Sequence, residues 1–364
     1  MYQINSLFLQ ESKLTILNQN MEKKEKIVVG ISIGDLNGIG IEVILKTFED
    51  KRMLDFCTPV IFGSTKTISF HKKQLGSEVS IHSIMAINQL AHGKINLLNI
   101  WKEEISIDLG TPTTTTGEYA LKSLEAAVSH LKDEKIDVLL TAPINKENIQ
   151  SETFNFPGHT EYLENELDGE SLMILISERL RVGLVTGHIP VSEIAKNITP
   201  ELIEKKVGIM HKTLIEDFAI NKPKIAVLGL NPHCGDKGVI GTEDDEIIRP
   251  TIAKIKENGT LIFGPYAADG FFGSDTYKQF DGVIAMYHDQ GLAPFKALSF
   301  GNGVNYTAGL SKIRTSPDHG TAYEIAGKNN ANPTSFKEAL FSAIKIYKKR
   351  EEYKILTRKP LSVK

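Results

Sequence analysis

The chain alternates short apolar runs with longer stretches in which apolar residues recur every three or four positions. Ile27-Val28-Val29-Gly30-Ile31-Ser32-Ile33 reads as a buried strand. A glycine-rich turn follows, Gly34-Asp35-Leu36-Asn37-Gly38-Ile39-Gly40, and then a helix from about Ile41 to Phe48. Pro59-Val60 begins another short strand, ending at Gly63. Ala120, Leu121, Leu124, Ala127, Val128 and Leu131 repeat at helical spacing and predict an amphipathic helix over about Thr116–Lys132. Ile136 to Leu140 is a strand, stopped by Thr141-Ala142-Pro143. Thr199-Pro200 opens a helix with proline in its first turn, where no backbone N–H is needed, and with the stripe Ile203, Val207, Met210 and Leu214. Strand, Gly- or Pro-containing loop and helix keep alternating to the C-terminus. That pattern predicts an α/β fold with a largely parallel sheet.

Composition narrows the function classes. The 364 residues correspond to about two domains. Hydrophobic residues at 41% and charged residues at 24% exclude a mostly disordered chain. A net charge of −3 leaves no basic excess for nucleic acid. The one dense basic run, Lys348-Lys349-Arg350, is followed by Glu351-Glu352 and reads as a solvated helix end. Cys57 and Cys234 are the only cysteines, so a disulfide scaffold, thiolate zinc fingers and thioredoxin-like motifs are excluded. No apolar run reaches the roughly 18–20 residues of a membrane span, and the start lacks a secretory pattern. A cytoplasmic protein without membrane contact is expected. Residues 1–24 are polar and read as an N-terminal extension, with Met21 as an alternative start.

Three of the ten histidines share one context. His188 follows the strand Val182–Thr186, His233 follows Ile225–Leu230, and His288 follows Val283–Tyr287. Open α/β sheets bind ligands outside the carboxyl ends of their strands. Three imidazoles delivered there could hold a zinc-like divalent ion with an open position. The plainer alternative is three separate loop histidines bonding backbone. Asp289, beside His288, could orient an imidazole, act as a base, or cap the loop. The other helical and polar-segment histidines, His71 among them, read as structural or surface residues.

Two stretches carry candidate anion contacts. Gly158-His159-Thr160-Glu161 precedes a predicted helix, whose N-terminus offers free N–H groups; an ordinary helix start is the alternative. Tyr287 to Ala322 supplies two cations, Lys296 and Arg314, with Asn305 and Thr315 as neutral hydrogen-bonding groups. Lys offers a point charge and Arg a planar fork, a set that suits a small phosphorylated acid. Gly34-x-x-x-Gly38-x-Gly40 is neither the dinucleotide fingerprint nor a P-loop, so the residues alone give no nicotinamide site.

Taken together, several segments resemble the 4-hydroxythreonine-4-phosphate dehydrogenase family of vitamin B6 (pyridoxal phosphate) biosynthesis. They are Gly34-Asp35 with Gly38-Ile39-Gly40, Thr141-Ala142-Pro143-Ile144-Asn145-Lys146, Gly158 to Glu161, Asn231-Pro232-His233, Tyr287-His288-Asp289-Gln290-Gly291, Val304-Asn305 and Ile313 to Ala322. The similarity spans about residues 25–345, in one order. It implies oxidation of 4-phosphooxy-L-threonine at its secondary hydroxyl by NAD or NADP, followed by loss of CO2 to give 3-amino-2-oxopropyl phosphate. It implies a divalent ion (Zn, Mg or Co) on His188, His233 and His288. Substrate contacts fall on His159, Thr160, Lys296, Asn305 and Arg314. Either Asp269 or Asp289 is expected to be the base that takes the hydroxyl proton. The implied fold is similar to isocitrate dehydrogenase. Residues 25–145 with 300–364 make one α/β domain, and residues 146–299 make a second that carries dimerisation and the metal site. A homodimer with shared active sites is expected. Leu36 and Ile41 stand where the family has proline, Cys234 stands where Ala is common, and Ala267-Ala268-Asp269-Gly270 replaces a Pro-Ala-Asp-Thr element. Rival readings are a sister dehydrogenase of 4-phosphothreonate or 4-phosphoerythronate, a phosphate acyltransferase-like enzyme, and a non-catalytic metabolite-binding protein.

Overall fold

Alternate residues of Thr58–Gly63 show how the layers form. Val60 and Phe62 join one apolar cluster, and Ile61 between them joins another. A strand buried on both faces reads as a continuous apolar run, which is how parallel strands appear in sequence. The computed structural model describes residues 26–151, 154–299 and 301–358. The expected N-terminal extension and Met21 lie outside these residues.

The strands are β1 Val28–Ser32, β2 Thr58–Gly63, β3 Ile81–Ile84, β4 Ile95–Asn99, β5 Val138–Thr141 and β6 Gly169–Ile176. They continue as β7 Arg181–Leu184, β8 Ile225–Leu228, β9 Ile262–Tyr266, β10 Gly282–Ala285, β11 Val304–Leu310 and β12 Ile313–Pro317. They form one sheet in the order β3-β4-β2-β1-β5-β12-β11-β6-β7-β10-β8-β9. Among the described residues, only the three central pairings, β12 with β11, β11 with β6 and β6 with β7, are antiparallel. The α/β class and the largely parallel sheet are therefore as expected. β12 lies beside β5, so the chain returns late to the middle of the sheet.

The two most periodic helices match their stripes. Thr114–Lys132 buries Leu121, Leu124, Val128 and Leu131, with Thr113 capping its first turn through the Thr116 N–H. Pro200–Glu216 buries Ile203, Val207, Met210 and Leu214, with Thr199 as its cap. The long helix Thr334–Thr357 packs on β12, β5 and β11. One expectation is corrected here. Lys348-Lys349-Arg350 is not merely a solvated end, because Arg350 forms a buried ion pair with Asp217, at 2.7 Å and 3.0 Å. The basic run hid one residue on the inward helical face. No helix among the described residues is long and apolar enough to cross a membrane.

Candidate active site

β7 and β10 are parallel neighbours in register, Leu184 beside Ala285. The pairing continues past their ends. Val185 N–H donates to the Ala285 carbonyl at 2.8 Å, and Thr186 N–H to the Met286 carbonyl at 3.1 Å. Just beyond, the chain delivers His188 and His288 side by side, with ring centroids 5.5 Å apart. Gln290 clamps this edge. Its amide oxygen accepts from Met286 N–H at 2.7 Å, and its amide nitrogen donates to the Gly229 carbonyl, past β8, at 2.6 Å. A Cβ on Gly291 would crowd Val182, Leu184 and Ala285, so glycine lets the helix His288–Ser299 lie against β7 and β10.

Each of the two imidazoles is backed by a carboxylate. His188 Nδ1 donates to Glu161 Oε1 at 3.1 Å, and His288 Nδ1 to Asp289 Oδ1 at 2.7 Å. Donation from Nδ1 leaves the lone pair on Nε2, the arrangement that suits a metal-binding imidazole. On His188 that Nε2 accepts from Lys146 Nζ at 3.0 Å. This donor set fits a divalent ion at two positions. The third histidine is elsewhere. His233 is exposed and does not line the cleft that His188 and His288 share. It stands on a run of five left-handed residues, His233 to Lys237, with φ of 54°, 55°, 78°, 43° and 55°. Asp244 holds the base of that loop by accepting from the Leu230 and Asn231 N–H groups at 2.8 and 2.9 Å. Among the described residues, no group of three or more His, Cys, Asp or Glu is placed to hold a metal ion within one chain.

The floor of the cleft, a cavity of about 230 Å³, is the central sheet. Alternation puts Asn305 and Thr307 of β11 and Arg314 and Ser316 of β12 on its face, paired Asn305 with Ser316 and Thr307 with Arg314. Thr315 points the other way and donates to the Ala339 carbonyl, so it is not a cleft residue. Arg314 is 2% exposed. Its guanidinium donates to Thr141 and Thr307 hydroxyls, and no carboxylate pairs with it among the described residues. Burial pushes its pKa down to about 9 against the pull of the Glu161 carboxylate. A buried guanidinium held only by hydroxyls is an anion site in waiting.

His159 and Thr160 begin the helix His159–Glu166 above this floor. His159 Nε2 is buried without a hydrogen-bond partner among the described residues, as is Asn305 Oδ1. Burial, reinforced by the Arg314 and Lys146 charges, holds the His159 pKa well below the usual imidazole value, so the ring is neutral. Lys296 lines the same cleft and donates to the Asp318 carbonyl at 3.0 Å. All five residues expected to contact substrate therefore converge. The two candidate bases do not line the cleft. Asp289, 86% exposed, is turned to the His288 ring. Asp269 is exposed on the helix Ala268–Gly273, close enough to Cys234 to help raise that thiol's pKa, which burial raises first. It therefore belongs with the His233 loop.

Lys146, Glu161 and His319 also line the cleft, although the sequence did not single them out as site residues. Lys146 and Glu161 end motifs quoted above, and His319 lies inside one; only their place in the cleft marks them. The glycine turn is no phosphate cradle. A Cβ on Gly34 or Gly40 would run into the Pro143 or Ile33 carbonyl oxygen, and one on Gly38 would press on that of Thr321. The turn's own Asp35 is buried and takes hydrogen bonds from Asn37 N–H and Tyr323 Oη, both at 2.9 Å. Room remains at the other rim. A Cβ on Gly320 would meet nothing within 4 Å, and the neighbouring His319 Nε2 is buried without a partner among the described residues.

The sequence profile described as pyridoxal phosphate biosynthetic protein PdxA matches residues 55–343. The chain is 50% identical over 341 residues to a 4-hydroxythreonine-4-phosphate dehydrogenase of Bacteroides thetaiotaomicron, covering 93% of this chain and 94% of that protein. It is 38% identical to a D-threonate 4-phosphate dehydrogenase of Cupriavidus necator, over 86% of this chain and 95% of the other. A solved 4-hydroxythreonine-4-phosphate dehydrogenase of Klebsiella pneumoniae superposes with a TM-score of 0.76 at 30% identity, over 90% of this chain and 99% of that one.

Proposed function

The chain belongs to the PdxA family of pyridoxal phosphate biosynthetic proteins and is an oxidoreductase, and from that premise we propose that it oxidises 4-phosphooxy-L-threonine at the secondary hydroxyl with NAD or NADP. The β-keto acid then loses CO2 to give 3-amino-2-oxopropyl phosphate. The observation that carries this reading is Arg314, a buried guanidinium with no direct ion pair among the described residues, in the same cleft as two carboxylate-backed imidazoles.

The residues divide the work by their chemistry. Arg314 and Lys296 take the phosphate and the carboxylate, with Asn305, Thr160 and neutral His159 hydrogen-bonding around them. Glu161 and Asp289 fix the orientation of His188 and His288, which hold a divalent ion. That ion, when bound, supplies a Lewis acid at the substrate hydroxyl. The open rim beside His319 and Gly320 would hold the dinucleotide, which would supply the hydride acceptor. Asp289 faces an imidazole, so the proton goes to Asp269. His233 and Asp269 come from a second copy of the chain, which completes the site. Exposed apolar residues beside both loops support this pairing: Val191 after His188, and Val239 and Ile240 after His233.

Absorbance of the reduced nicotinamide tests the reading. Purified protein, 4-phosphooxy-L-threonine, NAD and a divalent metal should give a signal that disappears with a chelator. D-threonate 4-phosphate is the second substrate to try, because a relative of that name covers most of the chain. Turnover of D-threonate 4-phosphate alone would replace the first substrate.

A further inference from the structure

We propose that Lys146 is a displaceable internal cation that occupies the ligand atom of His188 and thereby couples metal binding to substrate binding. The inference rests on the reading that His188 and His288 hold a divalent ion. His188 Nδ1 donates to Glu161, so its Nε2 carries the single lone pair of the ring. Lys146 Nζ already holds that lone pair, at 3.0 Å. One lone pair cannot serve an ammonium and a metal ion at once. The ion therefore binds only as Lys146 leaves.

Lys146 is built to leave. It is exposed, it stands on a loop beyond β5, and its ammonium makes no other hydrogen bond among the described residues. Its charge bears on both Glu161 and His159, so it already sits between the metal corner and the anion floor of the cleft. A phosphate or carboxylate on Arg314 and Lys296 offers the displaced ammonium a charged acceptor, which a neutral imidazole does not. Substrate drawing Lys146 away frees Nε2 for the ion; the ion, in turn, releases Lys146 to the substrate. Such coupling is reciprocal by linkage. Lys146 is in this sense a positioning residue, acting through His188.

The test reads metal binding without turnover. Co(II) is titrated into the whole protein and followed by its visible absorption, with and without 4-phosphooxy-L-threonine and with no nicotinamide present. Lys146→Met removes the competing charge, so this variant should bind Co(II) alone about fivefold or more tightly than the unaltered protein. Substrate should then tighten Co(II) less in Lys146→Met than in the unaltered protein. Lys146→Arg keeps the charge and should bind Co(II) no more tightly than the unaltered protein. Thermal unfolding of the metal-free variants checks that both are folded. Co(II) binding that His188→Ala leaves untouched would remove the metal site itself, and the inference with it. Co(II) bound through His188 but equally tight or weaker in Lys146→Met would overturn the coupling while leaving the metal site in place.

Discussion

Arg314 gives two hydrogen bonds to one atom, the Thr141 hydroxyl oxygen, at 2.9 Å from Nε and 2.6 Å from Nη2. β12 and β5 are parallel neighbours, with Arg314 opposite Leu139, so the contact joins the first β-α half of the chain to its last strand. The same side chain lines the cleft. Arg314→Lys should raise KM for the phosphorylated substrate by roughly tenfold or more, because a point charge cannot reproduce both roles. Thr141→Val, which keeps the shape, should move KM in the same direction. Steady-state kinetics on both variants measure it.

The site as proposed needs two chains. His188→Ala and His233→Ala should each be inactive alone. After the two are unfolded together and refolded as a mixture, random pairing leaves one intact site in about half the dimers, so about a quarter of the original activity should return. If His233 served its own chain, the mixture would stay inactive.

Asp217, Tyr306 and Arg350 form a buried charged cluster behind the sheet. Arg350 donates to both Asp217 oxygens and, at 2.8 Å, to the Tyr306 hydroxyl, and that hydroxyl donates to Asp217. Arg350→Met strands a carboxylate that is 2% exposed and should destabilise the fold by about 3–5 kcal/mol. The double change with Asp217→Leu should cost less than the single one. Urea unfolding of the two variants checks both statements.

His71 lies in the helix Thr65–Leu75 and is buried, with its pKa pushed down to about 4 by burial, against a hydrogen bond to the Leu36 backbone. Unfolded, the ring protonates near pH 6.5. Between these values the unfolded chain binds the proton and the folded chain does not. Stability is therefore lost as pH falls from about 6.5 toward 4, by about 2 kcal/mol at pH 5. His71→Asn should lack this share of the acid sensitivity in urea unfolding at pH 7 and pH 5.

Gly34 has φ of 70°, and a Cβ there would run into the Pro143 carbonyl oxygen, the same atom that accepts from Asp35 N–H at 2.9 Å. Gly34→Ala should destabilise the protein by about 2 kcal/mol or more, from the left-handed backbone and the clash together. Thermal unfolding gives the measurement.

Local order determined much of this protein. The stripe Ile203, Val207, Met210 and Leu214 is one face of a helix, because 3.6 residues per turn bring those positions together whatever lies opposite. The apolar runs at β1, β2 and β5 are strands buried on both faces for a similar reason. Lys296, Arg314 and Asn305 were legible as an anion set, since their types already limit what they can bind; the same logic includes Thr315, and His159 enters as a substrate contact only through the family resemblance. Tertiary structure decided the rest. Strand order is a long-range choice, and it brings β12 beside β5 and places His288 beside His188 across a hundred residues of chain. The same packing turns Thr315 away from the cleft, draws Arg350 out of a basic run into the core, and carries His233 outward on a left-handed loop. No local pattern records these outcomes, because each depends on which distant surface the side chain meets.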